Sequence, residues 1–305
     1  MTITTKASLP DGLQWASCPI CAKTGGKVVH TEPMGVLSSP LTGRFPEDLR
    51  MRIVRCKHCG FLYATPRPAQ NVLDERYQHM SDIDFNLNGQ QARVRMFEHL
   101  IDRLESKHPA PGKILDVGCF TGTLLEVAAK RGWEPWGVEI NKVASAYARE
   151  DLGYHVVTAE LRTAGFETNF FDAVTMTDVA EHVIDPKETF EEIFRILRPG
   201  GLLVMTVPNG SVQIPKENLK KRLKKGPGVV IGGLGHVNHF SKSSVRRLLR
   251  GIGFDALDVA CMIPERQTTA KMDRLKRAYV SVARVVLATT GVHIGHELLV
   301  TARKP

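Results

Sequence analysis

From residue 113 onward the chain alternates short apolar runs with helical stretches, and this alternation is its strongest constraint. KILDVG, WEPWGVEI, YHVVTAE, FDAVTMTD and GLLVMTVPN read as buried strands. Between most of them, TLLEVAAKRG, KVASAYAREDLG and ETFEEIFRILR carry apolar residues at helical spacing. Such a series predicts an α/β fold, a doubly wound and mostly parallel sheet with helices on both faces. Ligands on these sheets bind beyond the carboxyl ends of the strands, where the connecting loops gather. A basic insertion at about 211–235 follows, then helix SKSSVRRLLRGIGF, a strand near DALDVACMI, a basic helix over about 270–289 and a last strand ELLVTARKP. Seven strands are thereby expected.

Residues 1–80 have another character. GKVVH, RMRIVR and GFLYA are short extended runs broken by glycine and proline, with no long helical period, so a small β-rich module is expected. A second domain, 81–305, opens with a helix that sets Val94, Phe97, Leu100, Ile101 and Leu104 on one face. The module holds two C-x2-C pairs, Cys18 with Cys21 and Cys56 with Cys59. Four soft thiolates make the tetrahedral set that Zn²⁺ prefers, and a closed four-cysteine site is structural. Metal is expected over disulfides because the polar start MTITTKASLPDG lacks the apolar core of a secretion signal. No run of apolar residues is long enough for a membrane span, and a cytoplasmic protein is expected.

The turn in KILDVGCFTGTLLEV narrows the ligand. A dinucleotide loop needs glycine at 118, 120 and 123, whereas the chain has Gly118, Phe120 and Thr123. A pyrophosphate laid on the helix start is disfavoured, and no G-x4-G-K-[ST] occurs for a nucleoside triphosphate.

Six motifs in order, LDVGCFTG, WGVEI, FDAVTMTDVAEHVIDP, LRPGG before LLVMTVPN, HVNHFS and ELLVTARKP, resemble those of class I S-adenosylmethionine (SAM) dependent methyltransferases over about residues 88–305. The resemblance implies that Asp116, Gly118, Phe120 and Gly122 meet the methionine and ribose parts of the cofactor. Glu139, with Ile140 beside it, would accept from the ribose hydroxyls; Glu160 and Leu161 would face the adenine, and Asp178 would close the site after the fourth strand. The bare glycines let backbone come close to a ligand. Phe120, in place of a middle glycine, is expected to turn its ring from the ribose and wall the methionine or acceptor side.

Methyl transfer from a sulfonium needs two aligned reactants and a base for the acceptor's proton. Histidine suits that task near neutral pH. His182 in DVAEHV, and His236 and His239 in GHVNHFS, are the candidates. Asp178-x-x-Glu181-His182 is also a near match to the E-x-x-E-H that resembles a divalent-cation site of ubiquinone-pathway O-methyltransferases, which would imply Mg²⁺. Enzymes acting on exocyclic base amines carry Asn/Asp-Pro-Pro-Tyr here, and this chain does not.

The formal net charge of +9 leaves three partner classes open. Much of the excess lies in KENLKKRLKK, SVRRLLR and KMDRLKR. The insertion and the 270–289 helix could form a lid, take an anionic or lipid-linked acceptor, or pack against their own domain. A basic helix with an apolar face could also lie on a membrane surface. Aromatics at 7% give few stacking platforms for RNA. A SAM-dependent methyltransferase acting at oxygen on a small molecule, sugar or natural product is expected, with ribosomal or transfer RNA methylation and a non-catalytic binding module as the alternatives.

Overall fold

The computed structural model describes residues 8–33, 49–79, 93–108, 110–223, 235–262 and 270–305. The N-terminal strands are β1 (Leu13–Gln14), β2 (Gly26–Pro33), β3 (Arg50–Cys56), β4 (Leu62–Thr65) and β5 (Arg67–Pro68). They lead into helix α1 (Gln70–His79), which sequence reasoning did not anticipate. QNVLDERYQH carries few apolar residues, and only Val72 and Leu73 of these are fully buried, so helical periodicity is faint.

Helix α2 (Val94–Glu105) starts the larger unit and buries Phe97, Leu100, Ile101 and Leu104. Then follow β6 (Lys113–Val117), α3 (Thr123–Lys130), β7 (Glu134–Glu139), α4 (Lys142–Ala146), β8 (His155–Thr158) and β9 (Phe171–Thr177). The chain continues through α5 (Pro186–Ile196), β10 (Leu197–Pro208), α6 (Gly210–Arg222), β11 (Asn238–His239), α7 (Lys242–Ile252), β12 (Asp255–Cys261), α8 (Ala270–Thr290) and β13 (Glu297–Arg303). Seven strands form one sheet in the order β12-β13-β10-β9-β6-β7-β8. Pairs among β8, β7, β6, β9 and β10 are parallel, while β13 runs antiparallel between β10 and β12.

Strand β6 lies at the centre because both of its faces are covered. Ile114 and Leu115 are fully buried, on opposite sides of the pleat, and burying each contributes about 1.5–3 kcal/mol. The chain leaves β6 toward β7 and β8, then returns to β9 on the other side, so strand order reverses between β6 and β9. At such a reversal the two following loops diverge and leave a crevice.

A second sheet, β11-β4-β3-β2, joins the two parts of the chain. Its edge strand β11 comes from the HVNHFS motif, with Asn238 opposite Tyr63 and His239 opposite Leu62. The basic insertion divides: 224–234 lie outside the described residues, and its α6 docks on β2. Asn218 Nδ2 donates to the Val29 carbonyl at 3.0 Å and Lys221 Nζ to that of Thr31 at 2.7 Å. Of the three roles open to the insertion, packing is the one α6 adopts, and it packs against the N-terminal strands.

Candidate active site

A cavity of about 480 Å³ opens at the β6/β9 reversal. The loop after β6 supplies Gly118 and Phe120, the end of β7 Glu139 and Ile140, the loop after β8 Glu160 and Leu161, and the exit of β9 Asp178 and His182. Helix α1 covers the opposite side with Gln70, Leu73, Asp74 and Tyr77. It is tied down at both ends: Gln70 Nε2 donates to Glu160 Oε1 at 2.6 Å, and Asn141 Nδ2 to the Tyr77 carbonyl at 2.9 Å.

The loop after β6 needs left-handed backbone. Gly118 has φ of 75°, and a Cβ there would lie 2.5 Å from Val179 Cγ2, so only glycine leaves this wall intact. Phe120 adopts φ of 47°, which is costly for a bulky side chain, by about 1–3 kcal/mol. Glu139 holds it there: the Phe120 N–H donates to Oε2 at 2.9 Å and the Asn141 N–H to Oε1 at 2.8 Å. Burial pushes the Glu139 carboxyl up, and these backbone donors pull it back. The carboxylate is thus fixed in orientation at the cavity wall.

Asp116 and Gly122 are placed differently. Asp116 lies beneath the wall, 4% exposed, where the Thr175 hydroxyl donates to Oδ1 at 2.8 Å. Burial raises its carboxyl to about 7. It ties β6 to β9 and does not line the cavity. Gly122, with φ of 81°, is the residue before α3 and starts that helix.

Among the charged groups of the lining, carboxyls outnumber cations: Asp74, Glu139, Glu160, Asp178 and Asp185 stand with Arg93 and Arg162. Arg93 donates to Asp178 Oδ2 at 2.8 Å, and Arg162 pairs with Glu188. Burial, with Asp74 next, raises Glu160. An acidic cavity in a chain of net charge +9 is suited to a cationic ligand, and the sulfonium of SAM is one. The bare cradle at Gly118 and the fixed Glu139 carboxylate fit the rest of that cofactor.

On the far side, His182 and His236 stack edge to face with ring centroids 4.6 Å apart, and the Tyr77 ring lies 5.8 Å from His182. His182 Nδ1 lies 2.8 Å from the Gly235 carbonyl. A carbonyl only accepts, so Nδ1 carries a proton and donates to it, which orients the ring. Glu181 Oε1 is 4.0 Å from Nε2. Burial, then the charge of Asp178, holds the Glu181 carboxyl well above the ordinary range.

Two expectations change here. Asp178 does not join Glu181 and His182 in a cation site, because Arg93 and the Thr206 hydroxyl take its oxygens. The ligand atoms that gather within 4.8 Å are those of Glu181, His182 and His236, and two imidazoles do not suit magnesium, which takes oxygen ligands. Neither His236 nor His239 is in the cavity lining. His239 sits in β11 at 4% exposure, and burial pushes its imidazole down to about 3.

The four cysteines of the N-terminal strands meet. Sγ of Cys18 is 3.4 Å from that of Cys59, Cys21 is 3.7 Å from Cys56, and all four fall within 4.8 Å. A tetrahedron with metal–sulfur bonds of about 2.3 Å has sulfurs about 3.8 Å apart, so the set fits zinc. Arg93 and α1 were missed in the sequence, since neither belongs to a motif; Thr175 lies inside one, but its bond to Asp116 joins two strands far apart in the chain.

Residues 89–259 match a family model described as a methyltransferase domain. The ubiquinone biosynthesis O-methyltransferase of Alkalilimnicola ehrlichii is 36% identical over 104 residues, 32% of this chain and 42% of that protein. That of Xanthomonas axonopodis pv. citri is 30% identical over 182 residues, 55% of this chain and 72% of that protein. The chain thus spans less than half the length of the first of these relatives. Phosphoethanolamine N-methyltransferase 2 of Haemonchus contortus, solved with SAM, has a TM-score of 0.51 at 19% identity, covering 80% of this chain and 63% of that one. A possible histamine N-methyltransferase of Thermotoga maritima has a TM-score of 0.51 at 18% identity, covering 77% and 99%. At these identities the two structures share the fold.

Proposed function

The chain belongs to the class I SAM-dependent methyltransferases, and from that premise we propose that it methylates a hydroxyl oxygen of a small-molecule acceptor, with His182 as general base. The observation that carries this reading is the placement of His182: it lines the cavity, and its ring is held with Nδ1 2.8 Å from the Gly235 carbonyl. Bound SAM supplies an electrophilic methyl group on a sulfonium. Glu139 orients the ribose, the Gly118 cradle admits the methionine part, and the carboxyl lining favours the cation over a neutral competitor. Glu160 and Leu161 border the adenine, and Phe120 walls the methionine side.

His182 Nε2 removes the acceptor's hydroxyl proton as the oxygen is methylated. A proton arriving there eases ionisation of the buried Glu181 carboxyl at 4.0 Å, so the two groups share the charge. Leu73, Tyr77, Val183 and Ile184 line the same cavity and suit an acceptor with an apolar body. The name of the curated relatives, ubiquinone biosynthesis O-methyltransferase, supports oxygen as the methylated atom.

The second part of this reading is structural zinc held by Cys18, Cys21, Cys56 and Cys59. It fixes the strands that launch α1, and α1 covers the acceptor side. Metal analysis of the purified chain is expected to find about one zinc per chain; a content well below that removes the zinc. For the reaction, labelled SAM is incubated with a panel of phenols and other alcohols, and product is mapped by mass spectrometry. Methyl on oxygen, lost in His182→Asn, is the expected result. Methyl on nitrogen or carbon, or full turnover in the variant, overturns the assignment.

A further inference from the structure

A second cavity, of about 760 Å³, lies at the start of α7. Its lining includes Lys242, Arg246, Arg247 and Arg250, and no acidic residue. None of the four stands in an ion pair among the described residues. Three donate to backbone carbonyls: Lys242 to Gly291 at 2.7 Å, Arg246 to Leu257 at 3.3 Å, and Arg247 to Cys59. Those carbonyls aim the cations without cancelling their charge. Burial, then the charge of Arg246, lowers the Lys242 ammonium.

Helix α8 ends beside this cavity, whose lining takes in Gly291 and Val292. Helix α8 packs Val280 and Ala283 against Cys261, and turns Val282 and Val285 outward at 57% and 62% exposure. Residues three apart share a helix face. The helix ends at Thr290, and the next residues, Gly291 and the 56% exposed Val292, line the cavity. Cations beside protruding aliphatic side chains form the pattern of a surface that lies on a bilayer: the cations meet lipid phosphates while the apolar groups enter the headgroup boundary. RNA would gain from the cations but not from the valines, and the cavity lining holds no Phe, Tyr or Trp on which a base could stack.

We propose that the start of α7 and the outer face of α8 form a docking surface for an anionic lipid bilayer, with Lys242 and Arg250 meeting lipid phosphates and Val282 and Val285 entering the headgroup layer. This docking is independent of which acceptor is methylated. The test is co-sedimentation of the full chain with vesicles of phosphatidylcholine alone or of phosphatidylcholine mixed equally with phosphatidylglycerol. Binding to the mixed vesicles is expected to be at least about tenfold tighter. Both Lys242→Glu/Arg250→Glu and Val282→Ser/Val285→Ser are expected to weaken it, the first by about tenfold or more, with SAM affinity and thermal midpoint as folding controls. Equal sedimentation with and without phosphatidylglycerol overturns the proposal. So does binding that either pair of substitutions leaves unchanged, or displacement of the vesicles by single-stranded RNA at stoichiometric amounts.

Discussion

The two cavities of this protein carry opposite charge on one chain. The crevice at the β6/β9 reversal is lined by Glu139, Glu160 and Asp178, and the hollow at the start of α7 by Lys242, Arg246, Arg247 and Arg250. A net charge of +9 describes neither. The first cavity also spends its charges on one another and on backbone, as Glu139 does with two N–H groups, whereas the second leaves its cations without carboxylate partners among the described residues. Fixed, desolvated charge suits a single small ligand and a reaction. Loosely held surface charge suits a broad partner. The same side-chain types thus mean different things according to burial and to what they touch.

The largest expected effect that separates the two regions is on turnover. His182→Asn should lower the rate of methyl transfer by about 10²–10⁴-fold, the usual worth of a general base, with SAM affinity nearly unchanged. Single-turnover measurements beside SAM titrations resolve these. Lys242→Glu/Arg250→Glu should leave turnover on a soluble acceptor as it is; a fall would join the two cavities into one functional unit.

Next is Glu139→Ala, which removes charge-assisted bonds worth about 1.5–3 kcal/mol and should weaken SAM about ten- to hundredfold by calorimetry. Glu139 is also the brace of Phe120, so the loop after β6 should lose protection in hydrogen exchange.

His239 gives a third contrast, between a histidine at the cavity and one in a seam. Its folded-state value is pushed down to about 3, against about 6.5 when unfolded. Between those values the unfolded chain binds a proton that the folded chain refuses. Stability is therefore complete above about pH 6.5 and is lost as pH falls toward 3. At pH 5 this single group should cost about 2 kcal/mol relative to pH 7.5, and His239→Phe should remove that difference from denaturant curves.

The smallest effect is at Phe120. Phe120→Gly relieves the left-handed strain, and the gain is offset by the greater freedom of glycine when unfolded, so stability should move by no more than about 1 kcal/mol. SAM affinity or acceptor selectivity should nonetheless fall, because the ring lines the cavity. Unchanged binding and selectivity would make the ring filler.

The central sheet and the strand-end loops on one side of the cavity were legible in the sequence for a physical reason. Strand alternation, the glycines at 118 and 122 and the acid ending β7 are local consequences of backbone geometry, so they occur at fixed spacing along the chain. The other half depends on contacts between distant segments. Nothing near Gln70 or Tyr77 announces that α1 reaches Glu160 and Asn141. Arg93 lies just before a helix whose buried face was read correctly, but its role comes from Asp178, far along the chain. GHVNHFS misled in part: His236 stands beside His182, while His239, three residues on, is drawn into the sheet by pairing with Leu62. The spacing of the cysteine pairs did anticipate that four sulfurs would meet, since each knuckle is itself a local turn.

The most direct test of the account is a crystal structure with S-adenosylhomocysteine and an acceptor hydroxyl compound. The account predicts the ribose hydroxyls on the Glu139 carboxylate, and the cofactor's sulfur and the acceptor oxygen on the side of His182 Nε2. A cofactor bound away from Glu139, or an acceptor oxygen out of reach of His182, would contradict it.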